Sequence, residues 1–257
     1  MKANEIIRSA RKRVGEVFFN LQAAKHLVEC RYGSKVEQLE CYKNSDVLIP
    51  IVPGITSQTI AASIRAGTYE AHEAALLEGL IQKGEIILEI GAGCGFISTV
   101  CAKNPHSNAV HCVEANPGLI DLIRLTHRLN GVSAVVHNEI LAKEDGETDF
   151  FVHPDFWASG THSFLGTPIK VRTTSFQRRL NELRPTMLVV DIEGGEVDLF
   201  DDVDLTGVRK IMIELHQPTI GRCGMKKVFD VLSAQKFHYD MWHSTFSVVT
   251  FSHVDRY

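Results

Sequence analysis

The 257-residue chain reads as an α/β fold, a mainly parallel sheet with helices on both faces and an antiparallel pair of strands closing it. Three observations predict this. From Ala66 onward, helical and strand-like apolar patterns alternate, as they do where crossover units build a parallel sheet. Three glycines, Gly91, Gly93 and Gly95, stand directly between the first strong strand and the helix after it. The last two strand-like segments follow one another with only a short turn between them, which suits antiparallel pairing. Hydrophobic residues make up 44% and charged residues 23% of the chain, a globular balance that argues against disorder.

Residues 1–65 read differently from the rest and are taken as an N-terminal cap or lid, with the main domain spanning 66–257. Lys2, Arg8, Arg11, Lys12 and Arg13 outweigh Glu5 and Glu16 at the start. No apolar core of signal-peptide length follows them, so the stretch to about Leu27 reads as a basic amphipathic surface helix. Short strand-like pieces at 36–42 and 47–52 come next, and Pro50 and Pro53 then break the pattern. Over 70–81 apolar side chains recur at helical spacing, and Lys83-Gly84 stops that helix. Strand 86–90 leads through the glycines to a helix from Phe96. Strand 109–114, a helix from Pro117 and strand 133–138 follow. After a polar stretch come strand 169–173, helix 175–183, strand 187–192 and strand 210–215. Helix 226–234 and strands 237–241 and 246–251 end the chain. Ligands of such sheets sit at the carboxyl ends of the strands, so the site is sought there.

Charge and cysteine usage narrow the function. Lys plus Arg (27) against Asp plus Glu (31) leaves −4, which argues against a general nucleic-acid binder. No apolar run approaches the length of about 18 residues that a spanning helix needs. The six cysteines, Cys30, Cys41, Cys94, Cys101, Cys112 and Cys223, contain no C-x-x-C pair, and four lie in apolar stretches. Free buried thiols of this kind fit a reduced, cytoplasmic setting.

The segment EIILEIGAGCGF carries the first chemistry. Its spacing is G-x-G-x-G with Phe96 at the sixth position, so the dinucleotide fingerprint is not met and a nicotinamide oxidoreductase is disfavoured. Glu89 before the glycines would face a pyrophosphate unfavourably. E-x-G-x-G-x-G instead resembles the first motif of S-adenosylmethionine-dependent methyltransferases, whose ligand is cationic at sulfur and nitrogen. The next strand ends on Glu114, where a carboxylate can accept hydrogen bonds from both ribose hydroxyls. Asn138-Glu139-Ile140, at the end of the third strand, would lie near the adenine.

The run MLVVDIEGGEVDLF makes the resemblance specific. D-I-E-G-G-E after an apolar strand resembles the D-V-E-G-A-E signature of the FkbM-type methyltransferase family. IMIELHQP resembles that family's next strand, AGTYEAHEAALLEGL its Tyr-Glu helix start, and VEANP its E-P-N-P strand end, with Ala115 for the first proline. Val189 stands where the family usually has Lys, and Gly93 where it often has Asn. The resemblance covers residues 66–216. It implies a Rossmann-like fold with a seven-stranded sheet, S-adenosylmethionine as methyl donor, and transfer to a hydroxyl, often on a sugar or secondary metabolite. It implies cofactor contacts from Tyr69, Glu70, Glu89, Gly91, Ala92, Gly93, Gly95, Glu114, Ala115, Asn116, Asn138, Glu139 and Asp191.

Methyl transfer to a hydroxyl needs in-line alignment and somewhere for a proton to go. Asp191, Glu193, Glu196, Glu214 and His216 should converge at neighbouring strand ends, where like charges raise one another's pKa. Asp191, Glu214 and His216 are therefore the expected proton acceptors, and His216 has the unperturbed pKa best suited to neutral pH. Glu196 could equally be an acid that begins the following helix. The loop PDFWASGTHSFLGTP offers Trp157 and His162 to the substrate, with His162 a further catalytic candidate and Glu193 a further substrate contact. The acids could hold magnesium, but no metal is expected to be required. A small-molecule hydroxyl acceptor is the leading expectation. An N-methyltransferase of the same fold and a non-catalytic S-adenosylmethionine-binding protein are the alternatives. Oligomeric state and acceptor identity are not encoded in any motif.

Overall fold

The computed structural model describes residues 39–153, 155, 159–161 and 166–256. The expected N-terminal basic helix, Trp157 and His162 lie outside the described residues. The described chain begins with a hairpin, β1 (Glu40–Asn44) and β2 (Val47–Ile51), followed by helix α1 (Gln58–Ala66). Ser57 caps α1, its side chain accepting from the Ile60 N–H, and Gly67 ends it in the left-handed conformation. Helix α2 (Ala71–Leu80) leads into the alternating core: β3 (Glu85–Ile90), α3 (Phe96–Lys103), β4 (Ser107–Glu114), α4 (Ile120–Leu129) and β5 (Val135–Asn138).

Between β5 and the next core strand the chain builds a separate three-stranded sheet. Its strands are β6 (Ile140–Ala142), β7 (Gly146–Val152) and β8 (Thr167–Ser175), in the order β6-β8-β7. The segment expected as a core strand at 169–173 thus belongs to this side sheet, paired parallel with β6 and antiparallel with β7. Only Val171, Thr173 and Thr174 are buried in β8, and Val171 and Thr173 alternate with exposed neighbours. A strand inside a two-sided parallel sheet would instead be apolar throughout. Helix α5 (Phe176–Leu183), β9 (Met187–Val190), the short α6 (Glu196–Leu199), β10 (Lys210–Glu214), α7 (Gln217–Ala234), β11 (Phe237–Tyr239) and β12 (Val248–His253) complete the fold.

The main sheet has seven strands in the order β11-β12-β10-β9-β3-β4-β5. β3, β4, β5, β9 and β10 run parallel, and β12 enters antiparallel between β10 and β11. The expected closing antiparallel pair is present. Period-two alternation divides the sheet between two cores. Ile87, Met187, Val189 and Met212 face a core shared with α1 to α4 and the β1–β2 hairpin. Leu88, Ile90, Leu188, Val190, Ile211 and Ile213 face the other, under α5 and α7. The strand order reverses between β3 and β9, and that crevice at the carboxyl ends is where such sheets bind ligands.

Candidate active site

A cavity of about 1070 Å³ opens at this crevice. Ligand pockets commonly span about 300–1,000 Å³, so there is space for a nucleoside-sized molecule and a second reactant.

The glycine loop forms one wall. Gly91, Gly93 and Gly95 all have positive φ, and a Cβ built on Gly91 would lie 1.7 Å from the carbonyl oxygen of Asp191. Only glycine lets the end of β3 pass this close to the end of β9. The loop is tied to β4, with the N–H groups of Gly91 and Ala92 donating to the Val113 carbonyl at 3.0 and 3.2 Å. Glu114 ends β4 facing the cavity. Its carboxylate accepts the Gly93 N–H at 2.9 Å and the Asn116 N–H at 2.7 Å. Burial pushes its pKa up to about 7, against the lowering effect of these backbone donors.

Tyr69, Glu70, Gly91, Gly93, Glu114, Ala115 and Glu139 all line the cavity. Glu70 does so in the left-handed backbone region, φ 45° and ψ 32°, where a residue with a Cβ is strained. Burial, with Asp191 nearby, holds its carboxyl well above the ordinary range. Tyr69 packs edge-on against Phe96, with ring centroids 5.9 Å apart. Glu139 is engaged within the protein by an ion pair to Arg179 at 2.6 Å and a hydrogen bond from Thr174.

Glu89, Ala92, Gly95, Asn116 and Asn138 stand behind this wall rather than on it. Glu89 shares its sheet face with Ile87 and is buried beneath α3, its Oε1 accepting the Ser98 N–H at 3.1 Å. Burial raises its pKa to about 8. The Ser98 hydroxyl lies 3.0 Å from His127 Nε2, continuing a buried polar chain away from the cavity. Asn138 holds the turn after β4 through bonds to the carbonyls of Glu114 and Ala115, and Asn116 caps the turn at Pro117 by accepting from Gly118.

The floor at the ends of β9 and β10 gathers Asp191, Glu193, Glu214 and His216. His216 Nδ1 lies 2.6 Å from Glu196 Oε1, and Nε2 lies 3.3 Å from Glu193 and 3.8 Å from Asp191. Glu196 is fully buried, and so serves as more than a solvated acid at the start of α6. Glu214 accepts from the Ser247 hydroxyl at 3.2 Å. Burial and the charge of Glu214 push the Asp191 carboxyl up to about 8. For His216, burial opposes the charged ring, but the Glu196 hydrogen bond and the charges of Asp191 and Glu193 outweigh it and hold its pKa up to about 9. One ligand atom from each of Asp191, Glu214 and His216 falls within 4.8 Å of the others, a spacing that acidic groups commonly show without an ion.

Several lining residues carry no signal in the sequence. Ser63 and Glu73 come from the helices preceding the glycine loop, Lys143, Phe150 and Ser159 from the side-sheet segment, and Ser247 from the turn into β12. The caps of α1, Ser57 and Gly67, are the readable mark that would have placed Ser63 on a helix.

Residues 89–257 match the family model described as the methyltransferase FkbM domain. The chain belongs to the FkbM methyltransferase family. That family is one of methyltransferases, and the glycine-loop motif of this chain resembles the first motif of S-adenosylmethionine-dependent ones. A curated relative of this FkbM protein is the ribosomal protein L11 methyltransferase of Bacillus subtilis, 32% identical over 79 residues. That alignment takes in 30% of this chain and 25% of the relative, so the chain spans only a quarter of the curated relative's length. Similar solved structures include the precorrin-6y C5,15-methyltransferase of Geobacter metallireducens (13% identity, TM-score 0.45, covering 72% of this chain and 88% of that one). The M. jannaschii protein TYW2 in complex with AdoMet is another (9% identity, TM-score 0.45, 84% and 87% covered). No helix among the described residues is long and apolar enough to cross a membrane.

The donor set suits this cofactor. The glycine wall lets backbone approach the ligand without a side chain between them, and Glu114 presents its carboxylate on the cavity wall. Glu70 and Asp191 supply carboxylates near where a cationic sulfonium and ammonium would be favoured.

Proposed function

We propose that this FkbM protein transfers the methyl group to a hydroxyl of a small molecule. The observation that carries the proposal is the acid–histidine floor beside the glycine wall of one cavity. A hydroxyl gives up its proton on methylation, and a half-enclosed cleft of carboxylates, among which Asp191 and Glu193 have raised pKa, is suited to receive it. Net charge −4 and the carboxylates on the floor disfavour a polyphosphate acceptor.

In this reading Gly91, Gly93 and Glu114 hold the nucleoside part of the cofactor, with Tyr69 and Glu70 bounding its other end and Ala115 and Glu139 flanking the base. When bound, S-adenosylmethionine supplies a methyl carbon bearing a good leaving group. Asp191, Glu193, Glu214 and His216 orient the acceptor oxygen toward that carbon and exclude bulk water beneath it. The hydroxyl proton passes to the floor, whose proposed catalytic groups are Asp191, Glu214 and His216. His162 and Trp157, in the segment after β7, are proposed as acceptor contacts on their sequence position alone. Five described cysteines, Cys41, Cys94, Cys101, Cys112 and Cys223, are free, which supports a cytoplasmic setting.

The test is methyl-labelled S-adenosylmethionine offered with hydroxylated sugars and secondary metabolites, with tRNA, and with ribosomal protein. Label should appear as an O-methyl ether on a small molecule. Asp191→Asn should slow that turnover by about 10²- to 10⁴-fold, as loss of a general base does, while leaving cofactor affinity nearly unchanged. Label on a nitrogen, or only on RNA or protein, would refute the proposal.

A further inference from the structure

The floor contains one histidine and three carboxylates, with the carboxylate of Glu196 buried behind them, and the contacts made by the histidine divide their roles. Glu196 Oε1 lies 2.6 Å from His216 Nδ1, and its other oxygen, buried in the same place, has no hydrogen-bond partner. Its compensation comes from His216. A buried carboxylate with a single partner is strongly destabilised when that partner loses its charge. On the opposite edge of the ring, Nε2 faces carboxylate oxygens of Glu193 at 3.3 Å and Asp191 at 3.8 Å. A bare nitrogen lone pair aimed at two carboxylates would be repulsive, whereas an N–H is attracted to both. The His216 backbone is held at the start of α7, its carbonyl accepting the N–H groups of Thr219 and Ile220 at 2.8 and 3.0 Å.

We propose that Glu196 is a positioning residue that anchors His216 through Nδ1–H, so that the charged ring presents its Nε2–H to Asp191 and Glu193 and leaves proton uptake to Asp191. This rests on the methyl-transfer reading only for the last step. The charged groups facing the ring are Asp191 and Glu193 from the turn after β9, Glu196 from α6 and Glu214 from β10. Glu70 and Glu73 act on Asp191 from the α2 side. The raised His216 pKa agrees in direction. The inference reverses the expectation from unperturbed pKa values, in which the imidazole takes the proton.

Nitrogen-15 NMR of histidine-labelled protein, with His216 assigned by its loss in His216→Gln, tests this without any acceptor. At pH 7.5 the wild-type ring should show both nitrogens protonated. In Glu196→Gln, whose side-chain oxygen still fits the Nδ1–H, the His216 titration midpoint should fall by about one to three pH units. With an acceptor in hand, the pH profile of turnover in that variant should move with it, kcat falling and cofactor affinity staying within about twofold. A neutral wild-type ring at pH 7.5, or a titration and pH profile unmoved in folded Glu196→Gln, would overturn the proposal. Because the wild-type spectrum needs neither the variant nor turnover, misfolding of Glu196→Gln leaves the test decisive. Failure to find an O-methyl product would refute the functional reading while leaving the spectrum to judge the charged ring.

Discussion

Replacing Gly91 with Ala should damage the fold and the site together, through one contact. The added Cβ would lie 1.7 Å from the Asp191 carbonyl oxygen and 3.1 Å from Ile192 Cγ2, at a φ of +91°. The strands cannot step apart to relieve this, because Ile90 pairs with Val190 and the Asp191 N–H donates to the Ile90 carbonyl at 2.9 Å. A side chain in this backbone region costs about 1–3 kcal/mol, and overpacking a filled site adds about 1–3 kcal/mol. Together they place Gly91→Ala about 4 kcal/mol below wild type, or about 8–16 °C in Tm for a chain of this size. Gly84 provides the control: its φ is +86°, but an added Cβ meets nothing within 4 Å. Gly84→Ala should therefore lose only the conformational part, about 1–3 kcal/mol. Urea denaturation of both variants without cofactor measures the difference. Equal destabilisation of the two would refute the claim that the close approach of β3 to β9 is what demands glycine at 91.

Glu114→Ala removes a cavity-facing carboxylate and the anchor of the Gly93 and Asn116 N–H groups, so cofactor affinity by calorimetry should fall by at least about 10-fold. NADH should not bind the wild-type protein, and tight NADH binding would undo the cofactor assignment. His127 is 4% exposed, and burial lowers its pKa to about 4. Its folded pKa lies below the unfolded value of about 6.5, so the unfolded chain takes up the proton first as pH falls. Stability from this residue is full above pH 6.5 and declines toward pH 4 by about 3 kcal/mol. His127→Gln should flatten that part of the stability–pH curve, and an unchanged slope would refute the assignment.

The parallel core was legible because its strands are buried on both faces. Met187 to Val190 is apolar without interruption, Ile86 to Ile90 is broken only by the buried Glu89, and the glycines mark the turn after β3. The side sheet was harder to read. In β7, GETDFFV, one face is solvated and the apolar signal falls on only a few positions. Convergence of Asp191, Glu214 and His216 followed from strand ends alone, although His216 lies past β10, as the residue that opens α7. The placement of Glu89 follows from strand parity, since it alternates with Leu88 and Ile90 and shares the face covered by α3. Pairing of Glu196 with His216 was not readable. It joins a short helix after one strand to the end of the next, and no local period relates the two positions.

The side sheet has a consequence for how this fold can diversify. Its residues leave the main sheet after Asn138 and rejoin it through α5 at Met187, so the whole excursion falls between the half of the chain carrying the glycine wall and the half carrying the acid–histidine floor. Lys143, Phe150 and Ser159 reach the cavity from it, yet none of its three strands hydrogen-bonds to the seven-stranded sheet. A segment so attached can be exchanged, lengthened or recoloured in charge while the seven-stranded frame keeps its register. Variation there would retune which acceptor enters without rebuilding the chemistry that greets it.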